Sequence, residues 1–307
     1  MIVSLFDPWR SRLCTCPRKY SLNPYTGCSH GCIYCYITSY IPRAFEARPK
    51  RNLLRQLRRE LRRLDPRIPV TIANSSDPYQ PLERVHRHTR ACLKLLQKFN
   101  FGVEVVTKGD LVARDAPLLA EMRSAVAVTV TTLDENIAAR LEPSAPSPEH
   151  RLRAMQQLVE RGVNVACRID PVIPGVNEGV EELVRELDAI GVRHVTSSTF
   201  KPRFDSWRRF CDAFPEQAAR LKELYFEKGR RVQNSYYLPE ELRRRLMLRV
   251  RSACSKHGIT FAVCREGLGL NTAPSCDGTH LLSSHTRDAQ HAHRGQHNHH
   301  TGDEHPE

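Results

Sequence analysis

Three closely spaced cysteines are the residues of this chain most able to do chemistry. They lie in the run Asn23-Pro-Tyr-Thr-Gly-Cys28-Ser-His-Gly-Cys32-Ile-Tyr34-Cys35-Tyr36. Thiolates this close together can bind a soft metal centre, and sets of thiolates favour zinc or an iron–sulfur cluster over hard cations. Because only three ligands are present, one coordination position would stay open for a substrate, as in reactive rather than structural metal sites.

Structural zinc and a disulfide are the alternatives to an open cluster. A zinc site usually has a second Cys/His pair, and no matching pair follows Cys35. His30 lies between two of the cysteines, where it would crowd the flanking thiolates. The first eleven residues do not resemble a secretory leader, which disfavours a disulfide. The spacing therefore favours an open iron–sulfur site.

The spacing Cys-x3-Cys-x-aromatic-Cys resembles that of the radical SAM superfamily, and the flanking tyrosines make the chain similar to its spore photoproduct lyase branch. Further segments resemble this branch in the same order, over most of residues 14–282. They are Asn74-Ser-Ser-Asp-Pro-Tyr-Gln-Pro81, Val106-Thr-Lys108, Glu142-Pro-Ser-Ala-Pro-Ser147 and Cys276-Asp-Gly278.

This resemblance implies a [4Fe–4S] cluster on Cys28, Cys32 and Cys35, with S-adenosylmethionine bound at the fourth iron. It implies one-electron reduction by a partner such as ferredoxin or flavodoxin, which releases a 5′-deoxyadenosyl radical. Damaged DNA is the substrate that the branch suggests. Two alternatives stay open: radical modification of a peptide or small molecule, and a non-catalytic module that binds metal and nucleic acid.

Cofactor contacts are expected in the cysteine run and at strand ends. The resemblance implies that Ser75 and Lys108 contact the methionyl part, with Lys108 as a charge on its carboxylate. By strand position, Thr131, or Thr129 on the same strand face, is placed to hydrogen-bond to the cofactor. Arg168 is included because of its strand position alone. The expected cofactor-binding residues are Tyr34, which would pack by the adenine, Ser75, Lys108, Thr131 and Arg168.

The chain departs from the lyase at Asn74, where the lyase has a hydrogen-donating cysteine. An amide has no weak S–H bond, so another donor is needed. Tyr34 and Tyr36 are candidates for a hydrogen relay, and Cys264 and Cys276 are alternative donors or ligands of another metal. The residues assign no role to two further cysteines, Cys14 and Cys16.

Composition suggests a soluble, cytoplasmic protein that binds nucleic acid. The 307 residues carry a formal charge of +13 and eleven cysteines, with no apolar run long enough to cross a bilayer. A leucine stripe at positions 53, 57, 61 and 64 leaves an arginine-rich helix face in solvent, and a second basic cluster spans residues 243–251. Such faces favour a polyanion, although a merely solvated helix has the same pattern.

The alternation of apolar strands and helices predicts an α/β protein with a partial (β/α)6 TIM-type barrel. Polar residues at the carboxyl ends of its strands would form the site. Strands are predicted at 20–25, 70–74, 103–108, 125–132, 163–170 and 192–200, with a short later strand at 260–264. The predicted divisions are a lead-in (1–19), the barrel (20–200), a helical C-terminal extension (201–279) and a disordered His-rich tail (280–307).

Overall fold

The structure is a computed structural model that describes residues 1–6, 11, 13–72 and 74–283. Most of the predicted His-rich tail, from residue 284 onward, lies outside the described residues. None of the helices in the described part of the chain has the length and apolar composition needed to cross a membrane.

The centre of the fold is an eight-stranded sheet, in the order β1-β2-β5-β6-β7-β8-β9-β12. Seven of these strands are parallel, and β1 adds an antiparallel edge beside β2. The strands are β1 (Val3–Leu5), β2 (Tyr20–Leu22), β3 (Tyr25–Thr26), β4 (Arg48–Pro49), β5 (Val70–Ile72), β6 (Val103–Thr107), β7 (Ser124–Thr129), β8 (Asn164–Val172), β9 (His194–Thr199), β10 (Arg230–Val232), β11 (Ser235–Tyr237) and β12 (Thr260–Val263).

Helices cover the outside of the sheet. They are α1 (Leu53–Leu61), α2 (Leu82–His86), α3 (His88–Lys98), α4 (Ala116–Ala120), α5 (Glu135–Leu141), α6 (Pro148–Glu160), α7 (Glu181–Ile190), α8 (Phe204–Ala213), α9 (Pro215–Phe226) and α10 (Glu240–Lys256). Short 3₁₀ segments lie at Ile37–Ser39, Asp110–Asp115 and Thr279–Ser283. Helices α2 and α3 are separated by Arg87, which adopts a left-handed conformation (φ 51°).

The parallel strands separate an outer apolar core from a barrel lumen. In β7, Val126 and Val128 pack into the main core under the helices, whereas Ala125 and Ala127 face the lumen beside Leu281. This is the alternation expected of a strand covered on both faces. The partial-barrel prediction is therefore confirmed.

The sheet is wider than six strands. The predicted short strand near residue 260 does not stand apart: β12 pairs in parallel with β9, from Thr260 opposite His194 to Val263 opposite Ser197. The chain then returns into the lumen, where the Thr279–Ser283 segment packs on β6 and β7. A four-residue strand after a long helical stretch gives too weak a periodic signal for its partner to be predicted.

The two predicted basic clusters have different surroundings. Leu53, Leu57 and Leu61 are buried as predicted, so the arginines of α1 point into solvent. The second cluster is not a free basic face, which corrects the prediction. Arg243 is fully buried and pairs with Glu266 (2.8 Å), while Arg249 pairs with Glu181 (2.6 Å).

Candidate cofactor site

The three cysteines lie in one loop, residues 27–36, at the carboxyl end of the sheet; we call it the cysteine loop. Gly27 has φ +74°, and a Cβ there would lie 2.4 Å from the Glu46 carbonyl oxygen, so only glycine fits. The next N–H, of Cys28, donates to the Ala44 carbonyl (2.8 Å). The loop is therefore fixed at its first cysteine by close backbone packing.

A buried glutamine holds the cysteine loop from the neighbouring strand end. Gln80 accepts a hydrogen bond at Oε1 from the Ser29 N–H (2.9 Å) and donates from Nε2 to the Gly27 carbonyl (3.1 Å). The Gln80 amide therefore satisfies backbone N–H and C=O groups that have no backbone partner in this irregular loop. Its role was not predicted, although it lies in the 74–81 motif.

Asn23 joins this motif to the start of the loop. Its Oδ1 accepts hydrogen bonds from the N–H groups of Asn74 (3.0 Å) and Ser75 (3.1 Å), which places Ser75 beside the site. The Asn74 side chain donates to the Ser21 hydroxyl (2.7 Å). Asn74 thus acts as a hydrogen-bonding residue that fixes the loop.

Burial controls the acidity of the loop thiols. It raises the pKa of Cys28 to about 12, and it raises the pKa values of Cys32 and Cys35, although Lys108 acts in the opposite direction on both. Within the described residues, no three Cys, His, Asp or Glu side chains are close enough together to hold a single metal ion. In a [4Fe–4S] cluster each thiolate binds a different iron, so the cysteines need not converge on one ion.

Lys108 follows β6 and is fixed through its backbone by Asp77. The Asp77 carboxylate accepts from the Lys108 N–H (2.6 Å) and the Thr107 hydroxyl (2.6 Å). The Lys108 ammonium lies 5.5 Å from the centroid of the Tyr34 ring. Among the described residues this ammonium makes no hydrogen bond or ion pair within 4 Å, so it is free to meet an anion.

The Tyr34 hydroxyl is held by a buried ion pair. Tyr34 donates to Glu142, and Glu142 pairs with Arg151, which is itself 1% exposed and donates to the Thr129 carbonyl (3.1 Å). Burial would raise the pKa of Glu142, but Arg151 and then Lys108 lower it. The sequence analysis identified Glu142 only as part of the segment 142–147. Its role depends on the tertiary contact with Arg151.

Thr131 has a buried hydroxyl that lacks a partner among the described residues. It lies just beyond β7, is 2% exposed, and its Oγ1 makes no hydrogen bond there. Buried hydroxyls without a partner are uncommon and point to a missing ligand. Arg168, on the next strand, pairs with Asp170 (2.5 Å), so its charge is already balanced by a carboxylate of the protein.

The candidate hydrogen donors separate into two places. The Tyr36 hydroxyl donates to the Asn74 carbonyl (2.6 Å). Cys264 follows β12 and lies beside Arg168, whose pKa its thiol helps to raise. Cys276 instead lies deeper, with its Sγ 3.4 Å from that of Cys16, so the structure does not bring it to the cysteine loop.

Arginines of the C-terminal half complete the site and were missed in the sequence. Arg209 of α8 donates to the carbonyls of Ile33 (2.9 Å) and Cys35 (2.8 Å). Burial lowers the pKa of Arg203, and the charge of Arg265 lowers it further. These residues follow the regular βα repeats, so the sequence pattern gives no signal for them.

Comparison with known proteins identifies the family. The family model of the radical SAM superfamily matches residues 22–187. The chain belongs to the radical SAM superfamily. A Mycobacterium tuberculosis protein described as uncharacterized is 29% identical over 264 residues, covering 78% of this chain and 75% of that protein. A Pseudomonas phage M6 protein named radical SAM Nalpha-GlyT isomerase is 22% identical, covering 79% of this chain and 53% of that one.

Solved structures show the same fold. A mutant of spore photoproduct lyase with dinucleoside spore photoproduct superimposes with a TM-score of 0.62 at 17% identity, covering 80% of this chain and 75% of that one. Streptococcus suis SuiB bound to S-adenosylmethionine gives a TM-score of 0.55 at 14% identity, covering 79% and 49%. Radical SAM enzymes use a [4Fe–4S] cluster and S-adenosylmethionine, so this chain is an enzyme that uses both.

Proposed function

We propose that Cys28, Cys32 and Cys35 hold the cluster and that the enzyme acts on damaged DNA. The observation that carries the cofactor assignment is the Lys108 ammonium, which makes no ion pair within 4 Å among the described residues and is near enough to the Cys32 thiol to shift its pKa. A cluster held by the three cysteines would supply the electron that cleaves S-adenosylmethionine to a 5′-deoxyadenosyl radical. Reducing equivalents would come from a ferredoxin or flavodoxin.

The residues around the loop would bind and orient the nucleotide. Lys108 would pair with its carboxylate, and the partnerless Thr131 hydroxyl would hydrogen-bond to it. Ser75 and the Tyr34 ring would contact the methionyl part and the adenine. Arg168, which is paired with Asp170, would shape the wall of the site rather than supply a free charge.

A group of cations and aromatic rings at the mouth of the barrel supports a nucleotide substrate. This mouth cluster consists of Tyr36, Tyr40, Arg203, Phe204 and Arg265. The two tyrosine rings stack with centroids 6.3 Å apart, and the Arg203 guanidinium lies 5.8 Å from the Tyr36 centroid. Two guanidiniums that repel each other, beside an 89% exposed Phe204, would be stabilised by a phosphate and a stacked base.

The arginine face of α1 would extend this interface. Its arginines are exposed along a helix whose other face is fully buried. Such a face adds affinity without sequence preference, through release of counterions from the phosphate backbone. The mouth cluster would therefore select the nucleotide, and α1 would hold the flanking strand.

Cys264 is our proposed hydrogen donor in place of the missing residue at Asn74. Its S–H would transfer a hydrogen atom to a substrate carbon radical, giving a C–H bond and a Cys264 thiyl radical. The Tyr36 hydroxyl would then return a hydrogen atom to sulfur and become a phenoxyl radical, which one electron from the ferredoxin or flavodoxin and a proton would convert back to tyrosine. The two side chains are close enough that the Cys264 charge contributes to the raised pKa of Tyr36, after burial and Cys35.

A peptide substrate is the alternative. A structure of Streptococcus suis SuiB bound to the precursor peptide SuiA resembles this chain with a TM-score of 0.55. That likeness concerns the fold, which supports many chemistries. The eleven cysteines, all free, support a reducing, cytoplasmic location for either reaction.

The substrate assignment is tested with Phe204→Ala, which removes an exposed ring without disturbing the core. Loss of one stacked base should weaken binding of a lesion-bearing oligonucleotide roughly 5- to 100-fold. Val85→Ala removes an apolar side chain that is also exposed and serves as the matched control. Binding is measured by anaerobic fluorescence anisotropy.

The reaction is tested with a deuterium-labelled lesion dinucleotide. After the reaction, deuterium from the labelled lesion should be found in 5′-deoxyadenosine or in the repaired dinucleotide. If 5′-deoxyadenosine forms only when a peptide is added, and Phe204→Ala binds the oligonucleotide as well as the unchanged protein, the DNA assignment is wrong while the cofactor assignment stands.

A further inference from the structure

Three cysteines outside the cysteine loop meet where the lead-in segment (residues 13–19) touches the lumen segment (residues 270–283). The Sγ atoms of Cys16 and Cys276 are 3.4 Å apart, and Cys276 is 3% exposed. Cys14 lies two residues before Cys16, is half-buried, and is near enough that the Cys16 thiol lowers its pKa. The three thiols thus lie together, with Cys16 in direct contact with the more deeply buried Cys276.

Polar contacts on both sides hold these thiols together. Lys19, three residues after Cys16, pairs with Asp277 (2.5 Å), the neighbour of Cys276. On the other side, the Thr196 hydroxyl of β9 donates to the Cys276 carbonyl (2.8 Å). The Cys16–Cys276 contact is therefore fixed by an ion pair that is almost fully buried, and does not depend on the thiols themselves.

The contact joins the two edges of the open barrel. The lead-in segment connects β1 and β2, the last two strands at one edge of the sheet, and the lumen segment follows β12 at the other edge. Within residues 1–6, 11, 13–72 and 74–283, no strand hydrogen bonds connect these edges. A covalent bond between the two segments would close the barrel with a loop of 260 residues.

We infer that Cys16 and Cys276 form a reversible disulfide that closes the barrel, with Cys14 as the residue through which a small-molecule disulfide enters. A disulfide requires an S–S distance of about 2.05 Å. The two sulfur atoms, 3.4 Å apart, must therefore approach by a little over 1 Å.

The exchange proceeds by ordinary thiol–disulfide chemistry. The Cys14 thiolate attacks the oxidant RS–SR and releases RS⁻. Cys16 loses its proton and attacks the Cys14 sulfur, displacing the second RS⁻. Cys276 then attacks the Cys16 sulfur and frees Cys14 as a thiolate. In sum, two thiols and RS–SR give one protein disulfide and two RSH.

The environment of Cys14 suits this entry role. The Cys16 thiol donates to it and, together with Arg265 and Lys19, outweighs the effect of burial and lowers the pKa of Cys14 to about 6. A thiol with this pKa is mostly ionised at neutral pH, and the thiolate is the attacking form. The neighbouring thiols of Cys14 and Cys276, and then burial, raise the pKa of Cys16, so Cys16 does not compete for the oxidant.

The test is an anaerobic titration of the cluster-loaded protein with defined ratios of oxidised and reduced glutathione, a linear RS–SR/RSH pair. Thiols are trapped by differential alkylation and peptides are mapped by mass spectrometry. We expect a single Cys16–Cys276 cross-link, with unchanged visible absorption from the cluster and a melting temperature raised by several degrees. Cys211, half-buried on α8, should be alkylated at every ratio and serves as the internal reference.

Variants separate the three roles. Cys276→Ser and Cys16→Ser should abolish the cross-link. Cys14→Ser should slow its formation at least tenfold at pH 7 without changing its midpoint ratio, because only the thiolate that reacts first is lost. An unchanged rate would remove the entry role of Cys14.

Two results would overturn the inference. The first is that Cys16 and Cys276 stay fully alkylated at every ratio in the unchanged protein. The second is that the purified Cys28→Ala variant, which lacks the cluster, contains one equivalent of zinc that Cys276→Ser removes; the thiols would then be metal ligands rather than a redox pair.

Discussion

At the amino-terminal end of the sheet, buried Lys19 pairs with both Glu104 (2.7 Å) and Asp277 (2.5 Å). At the carboxyl end, Lys108 has no such partner among the residues that the structure describes, and the Thr131 hydroxyl there also lacks one. Both lysines are enclosed by the same barrel. The difference is whether the protein itself supplies the counter-ion.

This difference separates stability from function. A buried charge costs several kcal/mol unless it is paired, so a fold that served stability alone would pair both lysines. Unpaired polar groups at the carboxyl ends of barrel strands lie where enzymes of this architecture bind their substrates. The amino-terminal end should therefore respond to mutation through unfolding, and the carboxyl end through loss of ligand binding.

The largest expected effect is that of Cys32→Ala. Loss of one of three thiolate ligands should abolish the visible absorption of the reconstituted cluster completely. Cys92→Ala is the matched control, because Cys92 is equally buried but lies in the core under α3, and it should retain the absorption. A coloured Cys32→Ala protein would contradict the ligand assignment.

The next largest effect is that of Lys19→Met. Removing the Lys19 ammonium leaves the buried carboxylates of Glu104 and Asp277 without their counter-ion, which should cost about 3–5 kcal/mol in the free energy of unfolding. Urea titration measures the loss, with exposed Lys94→Met as the control. Adding Glu104→Gln and Asp277→Asn should recover much of it. If Lys19→Met proved as stable as Lys94→Met, the contrast between the two ends would fail.

A pH effect is expected at the same end of the sheet. Burial, with a further contribution from His280, lowers the pKa of His194 to about 4. Because the unfolded histidine titrates near 6.5, the unfolded state binds the proton first, and stability falls as the pH drops from 6.5 to 4, by about 3 kcal/mol. In His194→Gln this part of the pH dependence should disappear from urea titrations. If the free energy of unfolding changed with pH equally in His194→Gln and in the unchanged protein, His194 would not be responsible.

Lys108→Met should affect binding rather than stability. Loss of a charge-assisted hydrogen bond of about 1.5–3 kcal/mol predicts a roughly 10- to 100-fold weaker affinity for S-adenosylmethionine, with the cluster absorption retained. The free energy of unfolding should fall far less than in Lys19→Met, because Cys32 and Glu142 favour the Lys108 charge without forming an ion pair with it. Equilibrium dialysis measures the affinity, and exposed Lys98→Met is the control. A Lys108→Met protein that unfolded easily but bound normally would reverse the assignment.

The smallest effect concerns the exposed face of α1. Arg58→Ala and Arg62→Ala should each reduce the slope of log affinity against log salt by about one, if each contacts a phosphate. Arg153→Ala on α6, an exposed arginine paired within its own helix, should leave the slope unchanged. Equal slopes in all variants would remove α1 from the DNA interface.

Periodic segments and short motifs could be predicted from the sequence. The strand positions, the lumen-facing alanines of β7 and the buried leucines of α1 follow from two-residue and 3.6-residue patterns. The cysteine spacing led to the correct family and cofactors. These features are encoded within a few neighbouring residues.

What could not be predicted depends on contacts between distant residues. Arg243 reads as part of a basic surface, yet it is buried against Glu266, 23 residues later. Cys16 and Cys276 lie 260 positions apart and meet only because the chain returns into the lumen. Arg209 reaches the cysteine loop from a helix outside the repeats. No local periodicity marks such partners.

The central claim is that the cysteine loop binds a [4Fe–4S] cluster whose open iron takes S-adenosylmethionine. Anaerobic reconstitution followed by iron and sulfide analysis, with electron paramagnetic resonance of the reduced protein, tests it most directly. The account predicts about four irons and four sulfides per chain and a spectrum that changes when S-adenosylmethionine is added. A protein without iron, or a spectrum that the nucleotide leaves unchanged, would contradict it.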